Sequence, residues 1–156
     1  MSTKFTNKEL PMVESLSLQV FLNTGSIHLN MGRLLAQKLE ARGYKNITPP
    51  ILQFLGAMEC GPNYAADIAR YLNISRQMAG KTVKELSNLG YLEQRDDGSR
   101  QKAIFFTDKG QKLISDARAS LLEIDGYLKK DYTKSQIDQM MSMIAGFDKI
   151  LKTEQL

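Results

Sequence analysis

The most constraining feature of this 156-residue sequence is the order of short elements between positions 65 and 107. Apolar spacing predicts two short helices, Ala65–Leu72 and Arg76–Leu89, with a tight turn between them. Two strand-like pieces follow, Tyr91–Arg95 and Lys102–Thr107. The Asp-Gly pair at Asp97 and Gly98 between them is a strong signal for a β-hairpin. Two helices joined by a turn and followed by a hairpin predict a winged helix-turn-helix.

The segments on both sides of this unit show helical spacing as well. Before it we predict a long helix over 9–42, which can bend or divide at Gly25, and a second helix that starts at Pro49. After it we predict two more helices over 108–152, the last one starting with a capping box at Thr133. The predicted fold class is therefore mainly α with a small β-hairpin wing (α+β), as a single domain over 1–156 with the winged lobe at 47–107.

Composition excludes several classes of protein. Hydrophobic residues make up 42% of the chain, but no apolar run approaches the ~20 residues that a membrane span needs. The first residues lack the apolar core of a secretory signal, and Cys60 is the single cysteine, so we expect a cytoplasmic protein without disulfides or membrane contact. Cys60 and the single histidine, His28, make a poor ligand set for zinc. We expect no metal and no cofactor.

The sequence also argues against an enzyme. It contains no phosphate-binding loop and no nucleophile elbow, and His28 is the single histidine available for acid–base chemistry. The net charge of +4 favours a polyanionic partner instead, nucleic acid first. Residues 74–102 carry six basic and four acidic side chains, a surplus of +2, so half of the excess charge lies in less than a fifth of the chain.

The helix predicted over Arg76–Leu89 has two different faces. Ala79, Val83 and Leu86 form a small aliphatic face that can pack on the protein. Amide and lysine side chains occupy the opposite face, and no acid is among them: Gln77, Lys81, Lys84 and Asn88. Glutamine can bond an adenine edge, and lysine can reach guanine acceptors or phosphates. The alternative is that these lysines form an ordinary solvated surface.

Neighbouring features extend this candidate surface. The N–H groups at Ser75–Met78 suit a phosphate, and Gly80 is compatible with a close approach of the helix to DNA. Three cations lie at the predicted hairpin, where an arginine at the tip can enter a narrow minor groove: Arg95, Arg100 and Lys102. Asp96 and Asp97 weaken a purely phosphate-binding interpretation, although one of them can orient Arg100 through a bidentate pair.

These residues resemble a known family. The segment from Asp67 to Arg95 reads DIARYLNISRQMAGKTVKELSNLGYLEQR, and it resembles the core of the MarR (multiple antibiotic resistance regulator) family. Lys102–Gly110 resembles that family's second wing strand and the start of its next helix, and Thr48-Pro49-Pro50 resembles the opening of its second helix. The resemblance extends over the whole chain, and its specific part is residues 67–110.

The resemblance implies a homodimer that binds DNA through a recognition helix starting at Ser75. Ser75, Gln77 and Lys81 match positions that touch DNA in the family, and Arg100 matches the wing arginine. The dimerisation helices are then residues 9–42 and 108–152, and the candidate interface residues are Leu16, Val20, Ile144, Phe147 and Leu151. Two positions depart from the family pattern. Gly98 stands where an aspartate usually precedes the wing arginine, in a turn about two residues shorter, and Ile51 replaces a common glutamine.

The sequence therefore predicts a transcriptional regulator that binds double-stranded DNA with sequence specificity, as a homodimer on a pseudo-palindromic operator. By resemblance it is a repressor that a small-molecule effector releases. The alternative is a winged-helix docking module for another protein, without sequence-specific DNA binding. The candidate DNA-binding residues are Ser75, Arg76, Gln77, Gly80, Lys81, Lys84, Arg95, Arg100 and Lys102.

Overall fold

The computed structural model describes residues 15–61, 63–98 and 101–154. Within these residues the elements follow one another as α1 (Leu16–Ala41), α2 (Pro49–Glu59), α3 (Ala65–Tyr71), α4 (Arg76–Asn88), β1 (Leu92–Arg95), β2 (Ala103–Phe106), α5 (Asp108–Asp131) and α6 (Lys134–Thr153). The predicted fold class, mainly α with a hairpin wing, is confirmed. None of the helices in these described ranges has both the length and the apolar character to cross a membrane.

The chain divides into two compact units, Met1–Ile114 and Ser115–Leu156. The described part of the first unit contains α1 to α4, the hairpin and the first turns of α5. The second unit contains the remainder of α5 and all of α6. The prediction of one domain over the whole chain stays a prediction.

Helix α1 is continuous through Gly25, where the sequence allows a bend or a break. The helix begins after Ser15, whose hydroxyl accepts a hydrogen bond from the Leu18 amide at 3.3 Å. Residues 9–14 of the predicted first helix lie outside the described residues. A single interior glycine costs a helix only about 1 kcal/mol relative to alanine, which a helix of 26 residues can absorb.

Helix α4 stops at a glycine, as its sequence predicts. Gly90 has a φ of +76°, a backbone conformation that side chains other than glycine rarely adopt. The amide of Gly90 donates to the Ser87 carbonyl at 3.0 Å, and the amide of Tyr91 donates to the Leu86 carbonyl at 2.9 Å. This paired arrangement is a Schellman motif, and it turns the chain from α4 directly into the hairpin.

The core of the first unit includes five large side chains from four elements. Each of them is almost completely buried: Phe54 and Leu55 of α2, Ile68 of α3, Leu86 of α4 and Ile104 of β2. Burying a side chain of this size contributes about 1.5–3 kcal/mol. Because α4 and β2 both contribute to this core, the helix and the hairpin are held on one rigid support.

The hairpin is antiparallel, and Arg95 pairs with Ala103 at its outer end. Each strand is one residue or two shorter than the sequence predicts, because Tyr91, Lys102 and Thr107 lie outside the ladder. The amide of Ile104 donates to the carbonyl of Asn63 at 2.7 Å, so β2 also bonds to the linker between α2 and α3.

Helix α6 in the second unit begins with the predicted capping box. The Thr133 hydroxyl accepts from the Gln136 amide at 3.3 Å, and the Gln136 side chain accepts from the Thr133 amide at 2.8 Å. None of the described residues of α6 is buried. Its apolar side chains are therefore exposed or half-buried in the single chain, and Ile144 has 47% of its surface accessible.

Candidate nucleic-acid interface

Helix α4 buries one face and exposes the other, as the sequence pattern predicts. Ala79, Val83 and Leu86 are buried. The amide and lysine side chains on the opposite face are all exposed: Gln77, Lys81, Lys84 and Asn88. Because the buried face packs into the core of the first unit, the exposed face is presented on a fixed helix rather than on a loop.

The N-terminus of α4 differs in one detail from the sequence-based interpretation. The Ser75 hydroxyl accepts a hydrogen bond from the Met78 amide at 3.1 Å and thereby caps the helix. The sequence predicts that the Met78 amide is available to a phosphate, and this part of the prediction is wrong because the cap occupies that amide. Ser75, Arg76 and Gln77 are exposed at this end of the helix, and their side chains stay accessible to a ligand.

Met78 is a feature that the sequence analysis missed. Its side chain is 56% exposed, next to Gln77 in the first turn of α4. An apolar side chain on a DNA-reading face can contact the methyl group of thymine. The sequence does contain a signal for this residue. Met78 lies outside the buried stripe of Ala79, Val83 and Leu86, so packing in the core does not account for an apolar side chain at this position.

The centre of the exposed face is open. Gly80 is exposed, and a Cβ added there would meet no atom within 4 Å. No contact within the described chain therefore requires a glycine at this position. This agrees with the interpretation that the missing side chain leaves room for a partner.

Asn46, in the linker between α1 and α2, lies beside the same face. It lines an open groove together with Lys81, Lys84, Glu85, Asn88 and Leu89. Its backbone has a φ of +63°, in the left-handed region that asparagine tolerates better than most residues. The groove thus joins the turn after α1 to the outer face of α4.

The cationic side chains of the hairpin differ in the contacts that hold them in place. The Arg95 guanidinium lies 4.9 Å from the centre of the Phe105 ring and forms an ion pair with Glu93. Lys102 is exposed at the start of the second strand. Arg100, the predicted wing arginine, lies outside the described residues.

Both aspartates of the wing turn have structural partners. The Asp96 carboxylate accepts from the Gly98 amide at 3.0 Å, which closes the turn locally. The Asp97 carboxylate accepts from the hydroxyl of Tyr64, in the linker that precedes α3. The wing turn is therefore bonded to the body of the helix-turn-helix. The sequence-based alternative, in which one of these acids orients Arg100, involves a residue outside the described ranges.

The start of α5 fixes the end of α4. The Lys109 ammonium donates to the Leu89 carbonyl at 2.7 Å, and the Thr107 hydroxyl donates to the Gly90 carbonyl at 2.6 Å. A lysine is favourable here because the C-terminus of a helix carries a partial negative charge. The Lys109 ammonium also lies 4.6 Å from the centre of the Tyr91 ring. Burial raises the pKa of the Tyr91 phenol, so the ring stays neutral beside that cation.

At Gly110 the first turn of α5 lies against the backbone of Tyr91. The Gly110 amide donates to the Thr107 hydroxyl at 3.1 Å, so Thr107 links the first turn of α5 to the residue that ends α4. A Cβ at Gly110 would lie 2.1 Å from the carbonyl oxygen of Tyr91. Only glycine fits this approach, and the position of α4 depends on it.

The candidate dimer residues lie on α1 and α6. Leu16 is 74% exposed near the start of α1, and Val20 is half-buried one turn later. On α6, Ile144 and Leu151 are exposed and Phe147 is half-buried. All five side chains therefore have surface that the single chain leaves accessible.

Comparison with protein families identifies the part of the chain that carries this site. A family model described as a winged helix DNA-binding domain matches residues 45–110. The match begins in the linker after α1, includes all of α4 and the hairpin, and ends at Gly110. No curated protein matches the chain.

Solved structures of regulators share the fold over most of the chain. Staphylococcus aureus MarR in complex with salicylate and kanamycin has a TM-score of 0.74 at 19% identity, and the similarity covers 91% of this chain and 96% of that one. S. aureus MepR in complex with DNA has a TM-score of 0.67 at 18% identity, covering 88% and 98%. A MarR transcriptional regulator from Methanosarcina mazei has a TM-score of 0.67 at 21% identity, covering 85% and 91%.

The similarity agrees with the winged helix-turn-helix architecture predicted from the sequence. The solved structures include proteins described as transcription regulators. The structural similarity spans both compact units, and the family model covers the segment that contains α4 and the hairpin. The chain thus shares the fold of solved MarR-family transcription regulators, and its residues 45–110 match a winged helix DNA-binding domain.

Proposed function

We propose that this protein is a cytoplasmic MarR-family transcription regulator that binds double-stranded DNA with sequence specificity. The observation that carries the proposal is the exposed face of α4, which bears two lysines and two amides and no acid among its four central residues. A helix with these groups, held on a rigid support, is suited to the major groove. The match to a winged helix DNA-binding domain supports the same interpretation.

Each element of the site has a distinct proposed role. Gln77 and Lys81 read base edges near the N-terminal half of α4, and Met78 contacts a thymine methyl group. Lys84 and Asn46, which line one groove of the protein, contact the phosphate backbone of the DNA. The wing cations approach the minor groove. The proposed DNA-contacting set therefore keeps the residues Ser75, Arg76, Gln77, Gly80, Lys81, Lys84, Arg95, Arg100 and Lys102 and adds Asn46 and Met78.

The active form is a homodimer in this proposal. Helix α1 exposes Leu16, Phe21 and Leu22, and helix α6 exposes Met143, Ile144 and Ile150. Apolar faces of this extent are unfavourable in water unless a partner covers them. A second copy is the partner that also explains function, because a twofold dimer presents two copies of α4 to half-sites about one helical turn apart.

Regulation by a small molecule follows from the same fold in this proposal. S. aureus MarR, whose fold this chain shares, has been solved in complex with salicylate and kanamycin. We propose repression of target genes in the unliganded state, with release when an effector changes the spacing of the two DNA-binding lobes. An increase of the operator Kd on adding an effector would support this part of the proposal.

The competing function is a protein-docking module, and salt dependence separates the two. Binding of a labelled duplex is measured by fluorescence anisotropy from about 50 to 300 mM salt. A dimer that contacts six or more phosphates loses about 10³-fold or more in affinity between 50 and 200 mM salt. A flat salt profile, or no binding at the lowest salt, would favour the docking module.

Lys81→Ala is expected to weaken binding to the preferred duplex by about 1–3 kcal/mol, roughly fivefold to 150-fold, because it removes a contact to base edges. Lys81 is exposed, so the fold should be unaffected. Lys149→Ala is the matched control, since it removes the same charge from an exposed position on α6. Equal affinities of the two variants would remove Lys81 from the reading face.

A further inference from the structure

The wing forms hydrogen bonds to the rest of the domain at two adjacent residues, Asn63 and Tyr64. The carbonyl of Asn63 accepts from the amide of Ile104 in β2 at 2.7 Å. The hydroxyl of Tyr64 donates to the carboxylate of Asp97 in the wing turn, 33 residues further along the chain. The first bond holds the strand of the wing, and the second holds its turn.

These bonds matter because the hairpin has only two strands in the described structure. An isolated two-stranded hairpin is at best marginally stable in water. Packing of Ile104 and its bond to Asn63 hold the second strand one residue from the outer end of the ladder. Beyond that outer end, the turn residues from Asp96 to Gly98 are all exposed, so the core does not order the turn.

Tyr64 supplies a contact that reaches this outer end. Its side chain is half-buried and belongs to the residue that precedes α3, so its backbone is fixed by the helix-turn-helix. The hydroxyl therefore connects the rigid part of the domain to the turn that Arg95 and Lys102 flank. A tyrosine loses little conformational freedom when it forms such a bond, because its side chain has only two rotatable bonds.

We infer that Tyr64 is a positioning residue for the wing: its hydroxyl, through Asp97, holds the wing turn in the orientation that presents the flanking cations to DNA. The inference rests on the proposed DNA-binding function and deepens it. A wing ordered before binding does not lose conformational entropy during binding, so the affinity for DNA is higher. Tyr64 itself need not touch DNA.

Tyr64→Phe tests the inference without changing any charge. It removes the hydroxyl and keeps the ring, whereas a substitution of Asp97 would also change the electrostatic attraction to DNA. We expect Tyr64→Phe to bind the preferred duplex about three- to tenfold more weakly. Tyr132→Phe is the matched control, because it removes an exposed hydroxyl from the turn between α5 and α6 and should bind as the wild type does.

Two further readouts distinguish positioning from a general structural effect. Amide hydrogen exchange at residues 96–98 should be faster in Tyr64→Phe, while exchange in α4 stays as in the wild type. In a double-mutant cycle with Lys102→Ala, the combined loss of affinity should be smaller than the product of the two separate fold-changes. When the wing is no longer held in place, Lys102 contributes little to the affinity for DNA, so its removal costs less.

The outcomes are separable from failure of the proposed function. If the wild type binds DNA and Tyr64→Phe equals it in affinity and in exchange at 96–98, the inference is wrong. Multiplicative losses in the cycle would also contradict it, even if Tyr64→Phe lowered thermal stability. If the wild type bound no duplex, the proposed function would fail, and the exchange measurement alone would still decide whether Tyr64 orders the wing.

Discussion

Gly110→Ala is expected to lower the free energy of unfolding by about 3 kcal/mol, at the upper end of what overpacking usually costs. The added Cβ would lie 2.1 Å from the carbonyl oxygen of Tyr91 and 3.1 Å from its carbonyl carbon. Both atoms are backbone, so no side-chain rotation can relieve the clash. Helix α5 would have to move away from the segment that ends α4, and the bonds from Thr107 and Lys109 would be strained or lost.

Gly126→Ala provides the matched control for this prediction. It makes the same change within the same helix, at a position where an added Cβ meets no atom within 4 Å. Alanine is favoured over glycine in a helix interior by about 0.8–1 kcal/mol, so this variant should be as stable as the wild type or more stable. Urea unfolding followed by circular dichroism measures both. Equal stability of Gly110→Ala and the wild type would mean that the approach of α5 to Tyr91 is not as close as described.

If the protein is the proposed DNA-binding homodimer, Ile144→Glu is expected to convert it into monomers and to weaken binding to the preferred duplex by about 100-fold or more. Ile144 lies in the middle of the apolar side of α6, and a carboxylate there would be buried without a partner in a dimer interface. Loss of the dimer separates the two DNA-binding lobes. Each lobe then binds its half-site independently, without the increase in effective concentration that the dimer provides for the second lobe. Sedimentation velocity gives the mass of the particle, and anisotropy gives the affinity.

Ser142→Glu is the matched control on the same helix. It adds the same charge at an exposed position on the side of α6 opposite to Ile144, so it should remain dimeric. An Ile144→Glu protein that stayed dimeric and kept its operator affinity would show that this face of α6 is not the interface. Monomers from both variants would indicate that charge on α6 in general opposes assembly.

The architecture of the helix-turn-helix was predictable because its signals are local. The stripe of Ala79, Val83 and Leu86 defines the buried face of α4 within one helix, and Gly90 ends that helix through its own backbone conformation. The Asp-Gly turn and the Thr133 capping box are also short-range patterns. Each depends on residues no more than a few positions apart, so the printed sequence carries the information.

The contacts that position the site were not predictable in the same way. The bond from Tyr64 to Asp97 joins residues 33 positions apart. Asn46 and Lys84 line one groove only because of how the turn after α1 lies relative to α4. The close approach at Gly110 likewise depends on how α5 starts beside Tyr91. Such pairs arise from the packing of whole elements, which residue spacing does not encode.

The central claim, sequence-specific DNA binding by a dimer, is tested most directly by selecting bound duplexes from a random pool at about 0.15 M salt, where nonspecific binding is weak. We expect enrichment of a pseudo-palindromic motif whose half-sites lie about one helical turn apart, 10–10.5 base pairs. Recovered motifs should bind Lys81→Ala more weakly than the wild type. Failure of the folded, dimeric protein to enrich any motif would contradict the claim and favour a protein-docking module.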